Sequence, residues 1–478
     1  MQKNMKKLIY IIPTIIFSTI FSSCEISFLD SVSYSDITKD VYYSSVSEYE
    51  TALVGCYYYI SGRGPSKDGN YASGLPIAGQ AGTDETYIAV NKGVSFEAAT
   101  QFDNYSTLNT NNLICQEIWL NHYAGINAAN EIINRIDKID SVRLSGTPRY
   151  LGIRAEAQFL EALWYFNLVR IYGGVPIMTQ ASNSSMDLYT MKRDSIEKVY
   201  SRIINLLDSA ILYLPTTTTE YGRATVYSGY GLLSKVALHI ASSMNLLTIP
   251  DEVKLGGINS YDWVQKDING IDLSKTETIK YYYQMARNNA LNVLTHFAPN
   301  YLMPNFSDCF YPHESSREIL FEGVMSIGLS QEQGGWFGSL FGPRGQSSYG
   351  GGQHVIMPIL PIVLDHFTFS YPPTTTSTYS SLDSRFMWTI GTFQYNKPNG
   401  SVSNIGTASA YKLFEIAKFR LDAPPGYNQD RTPVNNPILR VSDICLVYAE
   451  AQAELDNFDG FGITNEALTH LAALPLIS

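Results

Sequence analysis

The chain has 478 residues, of which 45% are hydrophobic and 16% are charged, so it is long enough to bury a large core. Its formal net charge at pH 7 is −11. This charge argues against a nucleic-acid partner, because nucleic-acid binding needs a basic surface. Aromatic residues make up 13% of the chain, and 34 of them are tyrosines. Tyrosine rings can stack on uncharged polar ligands, although a tyrosine-rich exposed surface would account for the composition equally well.

The N-terminus predicts export and lipid anchoring. Lysines at positions 3, 6 and 7 precede a mostly apolar run over 8–21, and Ser22, Ser23 and Cys24 follow. This order is typical of a secretory signal peptide, whose apolar run is too short to span a membrane. A cysteine directly after two small residues predicts cleavage after residue 23 and lipidation of Cys24. The alternative is an ordinary signal peptide that ends near a cysteine.

Helical periodicity dominates the rest of the chain, and the predicted helices come in pairs. They cover 119–136, 154–172, 195–214, 225–240, 282–297, 443–455 and 465–474. Short turns and prolines at the helix exits are typical of tetratricopeptide repeats, although the ~34-residue period of that repeat is not kept. The predicted fold is mainly α: degenerate tetratricopeptide-like helical pairs in a single globular body, with long irregular loops and minor β structure.

The segment Arg154–Thr179, RAEAQFLEALWYFNLVRIYGGVPIMT, contains the most distinctive of these helices. It is apolar on nearly every side, which predicts burial between other helices. Gly173 supplies a left-handed cap, and Pro176 cannot continue the helix. Trp164, and Trp119 on the preceding helix, have core spacing and are assigned to packing.

Two long loops combine aromatic and polar residues. The first covers 61–112, and the second, 334–353, holds eight glycines among aromatic residues. Loops of this length in a compact protein are commonly functional. Their aromatic content favours a binding role.

The motifs of enzymes and metal sites are missing from the sequence. The cysteines after Cys24 are scattered and form no CxxC pair, and there is no HExxH or GxSxG motif. Carboxylate pairs such as Asp84 and Glu85 occur in any chain with 44 acidic residues, so they do not specify a glycosidase. We therefore expect no catalysis, no metal and no cofactor, and we expect Cys445 to be a buried thiol.

The segment RAEAQFLEALWYFNLVRIYGGVPI resembles the hallmark of the SusD/RagB family of outer-membrane nutrient-binding lipoproteins. Further blocks occur in the order of that family, and the resemblance spans nearly the whole chain. They are YETALVGCYYYI at 49–60, IWLNHYAGINAANEIINRI at 118–136, GRATVYSGYGLLSKVALHIAS at 222–242, REILFE at 317–322, DSRF at 383–386 and NNPILRVSDICLVYAEAQAEL at 435–455.

The resemblance implies a domain organisation. Residues 1–23 would be a lipoprotein signal peptide and 24–478 a SusD-like domain. The helical-repeat scaffold would lie mainly in 112–300 and 440–474, and the loop-rich, ligand-binding part mainly in 60–111 and 300–439.

The resemblance also implies a role in nutrient binding. Members of the family are anchored by a lipid to the outer membrane, face the cell surface, and deliver glycans, or sometimes peptides, to a SusC-like TonB-dependent transporter without catalysis. Sugar rings stack on aromatic faces, and their hydroxyls need hydrogen-bond partners. In the two loops we expect ligand contacts at Trp336, Phe337, Tyr349, Tyr71, Asp84 and Tyr87. The alternative is a peptide-binding or purely protein-binding helical-repeat lipoprotein, whose glycine-rich loop would contact the transporter.

The C-terminus departs from the family pattern. Family members continue beyond the YAEAQAEL helix with an arginine-rich helix, whereas this chain ends in NEALTHLAALPLIS. The resemblance therefore predicts a truncated C-terminal part, with the apolar stretch Leu471–Ile477 lacking its usual partner. A naturally shorter variant is the alternative.

Overall fold

The computed structural model describes most of the helical scaffold and parts of the loops. The first described residues, 42–48, belong to one compact unit (1–48), and all other described residues belong to a second unit (49–478). The described residues are 42–60, 74–88, 97–104, 107–182, 190–218, 220–246, 260–299, 302–310, 316–325, 337–341, 359–360, 362–363, 383, 385, 389–391, 393–395, 402–404, 415–416, 418–419 and 434–458. The predicted signal peptide with Cys24, the predicted helix 465–474 and the apolar stretch Leu471–Ile477 lie outside them.

Helices make up most of the described residues, as the sequence predicts. They are α1 (Val46–Tyr58), α2 (Leu75–Gln80), α3 (Glu97–Asn104), α4 (Leu113–Ile136), α5 (Ser141–Gly146), α6 (Arg149–Tyr172), α7 (Ile196–Ile211), α8 (Val226–Asn245), α9 (Lys275–Phe297), α10 (Phe337–Phe341) and α11 (Val441–Phe458), with a 3₁₀ turn at Phe306–Cys309. None of the helices in the described ranges is long and apolar enough to cross a membrane.

The strands are short and pair only as two-stranded ribbons in the described residues. β1 (Ile319–Gly323) pairs antiparallel with β6 (Asn436–Arg440), with Ile319 opposite Arg440 and Gly323 opposite Asn436. The other strands are β2 (Ile390–Gly391), β3 (Phe393–Tyr395), β4 (Val402–Asn404) and β5 (Glu415–Ile416); β2 pairs with β5, and β3 with β4. The prediction of minor β structure agrees with this arrangement.

The large helices pack against one another in chain order. α4 packs on α6, α6 on α7, α7 on α8, α8 on α9, and α9 on α11. Because successive helices are spatial neighbours, each one covers the apolar side of the next, which is the packing principle of helical repeats. The prediction of a mainly helical fold is confirmed.

The predicted burial of α6 is also confirmed. Every residue from Ala155 to Val169 is buried, so this helix has no solvent face over four turns. The carboxylate of Glu161 is fully buried and receives two hydrogen bonds from the Arg202 guanidinium of α7, at 3.1 and 2.8 Å. Burial raises the pKa of Glu161 to about 7 despite the opposing effect of Arg202.

Local sequence signals set the ends of the helices. α6 ends at Tyr172, and the next residue, Gly173, has a φ of 71°, which favours glycine. α9 begins at Lys275, earlier than the predicted 282, because Ser274 and Glu277 form a reciprocal capping box. The side chain of Asn112 likewise caps α4 by accepting a hydrogen bond from the Cys115 amide at 3.1 Å.

Trp164 and Cys445 lie where the sequence predicts. The Trp164 side chain is fully buried between α6 and α4. Its ring lies so close to Gly125 of α4 that an added Cβ would be 2.7 Å from two ring carbons. Cys445 is 6% exposed and carries a free thiol.

Candidate functional site

A cavity of about 570 Å³ opens between α2, the C-terminal half of α6, α8, α10 and β6. This volume is within the range of small-molecule sites, roughly 300–1,000 Å³. Its lining combines phenylalanine rings with charged and amide side chains. The polar, charged and aromatic lining residues include Gln80, Glu85, Thr86, Phe166, Asn167, Arg170, Lys235, Phe310, Phe337, Phe341, Lys418, Phe419, Asn436 and Arg440.

A tight turn after α2 places Glu85 at the cavity. The Gln80 carbonyl oxygen accepts hydrogen bonds from the hydroxyls of Thr83, at 2.8 Å, and Thr86, at 2.7 Å. Gly82 within this turn has a φ of 71°, a region that favours glycine. The Leu360 amide donates to the carbonyl oxygen of Glu85 at 2.7 Å. The backbone of Glu85 is therefore fixed on both sides, although its side chain is exposed.

The last turns of α6 supply polar groups to a second wall. The Arg170 guanidinium donates to Asn167 Oδ1 at 2.6 Å and lies over the Phe166 ring, 4.2 Å from its centroid. Both Arg170 and Asn167 line the cavity. The last turns of α6 thus contribute a cation and an amide to the cavity lining.

Two further cations come from α8 and β6. Lys235 Nζ pairs with Asp443 Oδ2 of α11 at 2.5 Å. Arg440 Nη1 lies 3.4 Å from Glu318 Oε1, and the Glu318 carboxylate also accepts from the Met303 amide at 3.1 Å. Each of these two cations therefore has a carboxylate of its own.

Phenylalanine rings form the apolar part of the lining. Phe337 of α10 is 3% exposed and packs against Phe341 and Phe419, with centroid separations of 5.3 and 4.4 Å. Phe419 in turn contacts Phe310 at 6.0 Å. Among the described lining residues there is no tyrosine or tryptophan. The described walls thus present phenyl faces.

The structure places three of the six predicted ligand contacts. Phe337 lines the cavity, whereas Asp84 is exposed and Tyr87 is half-buried in the turn beside it. Burial, and next the nearby Asp103, raise the pKa of the Tyr87 hydroxyl. Neither Asp84 nor Tyr87 is a lining residue. Trp336, Tyr349 and Tyr71 lie outside the described residues, so their contacts with a ligand stay predictions.

Sequence reasoning missed the cationic lining. Its four cations belong to different elements or segments of the chain: Arg170, Lys235, Lys418 and Arg440. One signal was available: Lys235 interrupts the apolar run LLSKVALHI of a buried helix, where an unpaired charge would be costly. In the described part of the chain no three His, Cys, Asp or Glu residues come together to hold a metal ion.

Two family models match the chain. The model described as "Starch-binding associating with outer membrane" matches residues 69–238, and the model described as "SusD family" matches 317–472. The matched regions include most of the first loop, the second loop, the buried helix α6 and the β1–β6 ribbon beside the cavity. The chain therefore belongs to the SusD/RagB family, as the resemblance implies.

Relatives and solved structures agree with this assignment. A SusD-like protein of Bacteroides ovatus is 24% identical over 453 residues, which cover 94% of this chain and 73% of the relative. A SusD homologue from Bacteroides thetaiotaomicron superposes with a TM-score of 0.66 at 20% identity, over 91% of this chain and 78% of that one. A laminarin-binding SusD-like protein superposes with a TM-score of 0.62 at 19% identity, over 90% and 83%. At these identities the superpositions establish the shared fold.

Proposed function

We propose that this protein binds oligosaccharides without breaking them down and delivers them to a SusC-like TonB-dependent transporter of the outer membrane. The observation that carries the proposal is that the chain belongs to the SusD/RagB family. The two matching family models cover 69–238 and 317–472, and both ranges contain residues that line the cavity. One of these models is described as starch-binding, and a protein of the same fold is described as laminarin-binding.

The cavity supports the proposal chemically. Phenyl rings such as that of Phe337 offer apolar faces to the C–H face of a sugar ring. Asn167 and Asn436 add amide groups that can donate to and accept from hydroxyls. The glycine-rich loop 334–353 adjoins the cavity through α10, which is part of that loop, so Trp336 is one residue from a lining side chain.

Titration of the full chain carrying Cys24→Ala tests the binding proposal. This substitution prevents lipidation, so the protein can be studied without detergent. We expect starch- or laminarin-derived oligosaccharides to change tryptophan fluorescence in a saturable way and to be recovered intact. Release of shorter sugars would show catalysis and would contradict the proposal of binding without breakdown. Binding of peptides but of no sugar would support the alternative class of ligand.

Anchoring and partner choice form the second half of the proposal. Lipidated Cys24 would hold the protein at the outer membrane, with the cavity available at the cell surface. We expect the native protein to copurify with a TonB-dependent transporter from solubilised outer membranes, and the Cys24→Ala protein to leave the membrane fraction. Retention of the Cys24→Ala protein in the membrane without the transporter would contradict the lipid anchor.

A further inference from the structure

The cavity concentrates positive charge in a protein that is acidic overall. Among its described lining residues are four cations, Arg170, Lys235, Lys418 and Arg440, and one carboxylate, that of Glu85. The whole chain carries a formal net charge of −11. The lining of the cavity therefore has the opposite charge to the chain as a whole, and this difference points to a role for its cations.

The partners of these cations separate them into two groups. Lys235 and Arg440 are compensated by carboxylates, Asp443 at 2.5 Å and Glu318 at 3.4 Å. The Lys418 ammonium, in contrast, forms no hydrogen bond or ion pair with the described residues. It lies over two rings, 5.5 Å from the Phe306 centroid and 5.5 Å from that of Phe310.

The surroundings of Lys418 favour the arrival of an anion. Burial, Arg440 and Arg385 together lower the pKa of Lys418 to about 8, against the opposing effect of Glu85. Cation–π contacts stabilise an ammonium only modestly compared with a charge-assisted hydrogen bond. A ligand oxyanion at Lys418 would supply the direct ion-pair partner that the described residues, Glu85 included, do not provide.

We infer that this cavity binds an anionic group of the ligand, the carboxylate of a uronate or the sulfate ester of a sulfated sugar, with Lys418 as its main contact. The inference rests on the proposed function, since it names the class of oligosaccharide that the same site takes. The hydroxyls of a neutral sugar need hydrogen-bond partners, which the amides supply. A neutral sugar carries no negative charge to pair with the Lys418 ammonium. Arg170, which donates to Asn167 Oδ1 at 2.6 Å, is a further cation in the cavity lining.

Matched ligand pairs test the inference. Calorimetric titrations of the full Cys24→Ala chain would compare an oligogalacturonate with its methyl ester, and a sulfated carrageenan oligosaccharide with its desulfated form. Within each pair the sugar chain is the same, and the anionic group is masked as an ester in the first pair and removed in the second. We expect the anionic member of at least one pair to bind about tenfold or more tightly, as for a charge-assisted hydrogen bond. The pair that shows the preference identifies carboxylate or sulfate.

Variants assign the preference to Lys418. We expect Lys418→Met to remove most of the charge preference and Lys418→Arg to retain it, while Glu85→Gln increases it by removing the opposing carboxylate. Lys266→Met is the matched control, because Lys266 pairs with Asp272 at 2.7 Å in a turn outside the cavity lining. We expect Lys418→Met to fold, because it removes a half-buried charge and keeps the aliphatic stem; far-UV circular dichroism and the melting temperature check this.

The outcomes separate the inference from the proposed function. Equal binding of both members of each pair would overturn the inference and leave glycan binding standing. A preference that survives Lys418→Met would also overturn it. A folded protein that binds none of these sugars and no starch or laminarin oligosaccharide would overturn the proposed function and the inference together.

Discussion

The contact between Gly125 and Trp164 makes Gly125→Ala a sharp test of the helical packing. An alanine Cβ at position 125 would lie 2.7 Å from Cε2 and Cζ2 of Trp164 and 2.9 Å from Cη2. The indole is fully buried, so it cannot swing into solvent. Overpacking costs about 1–3 kcal/mol, while the better helix propensity of alanine returns up to about 1 kcal/mol. We therefore expect a net loss of about 1–2 kcal/mol of unfolding free energy, measured by urea denaturation.

Gly55 of α1 is the matched control for this substitution. It is exposed, and an added Cβ there meets no atom within 4 Å. Gly55→Ala should therefore stabilise by about 0.5–1 kcal/mol through helix propensity alone. Combining Gly125→Ala with Trp164→Phe should shrink the penalty of the alanine, because the smaller ring makes room. Equal effects of Gly125→Ala and Gly55→Ala would refute the close approach of α4 and α6.

Three further predictions concern charge and ligand contact. Arg202→Met should destabilise the protein by about 3 kcal/mol at pH 8, because the buried, ionised Glu161 loses its partner. The loss should be smaller at pH 5, since Glu161 is protonated below its pKa of about 7. Equal losses in urea denaturation at both pH values would contradict this. Affinity for an acidic oligosaccharide should change little between about pH 5 and 7, where its carboxylate stays ionised, and fall as the pH rises through the Lys418 pKa of about 8. Calorimetry should show a flat profile for the methyl ester, and a flat profile for both ligands would contradict the prediction. Trp336→Ala should weaken oligosaccharide binding by about 1–3 kcal/mol, on the scale of base–aromatic stacking, whereas alanine at the exposed Tyr213 of the helical scaffold should not; unchanged affinity of the folded Trp336→Ala protein would remove it from the site.

Local patterns in the sequence were sufficient to predict the helical scaffold. The burial of α6 follows from apolar residues on every side of one helix, and its end follows from Gly173 and Pro176, so no long-range information was needed. The early start of α9 was missed, although Ser274 and Glu277 carry the spacing of a capping box. Apolar periodicity alone does not reveal such a start, since Lys275–Lys280 is mostly polar.

The cavity could be predicted only in part. Phe337 was selected because it lies in an aromatic, glycine-rich loop, and it does line the cavity. The sequence could not place Lys418 and Arg170 in one cavity lining, because they lie about 250 residues apart in the chain. Side chains that become neighbours through tertiary packing leave no periodic signal in one sequence. Family resemblance does not supply them either, since its motifs specify the scaffold.

The measurement that tests the central claim most directly is a structure of the full Cys24→Ala chain with the oligosaccharide that titrates most tightly. The account predicts an intact sugar chain at the cavity, with a ring against the phenyl wall of Phe337 and an anionic oxygen within hydrogen-bond distance of Lys418 Nζ. An oligosaccharide bound to a different face of the protein, or one recovered in the site as a cleaved product, would contradict it.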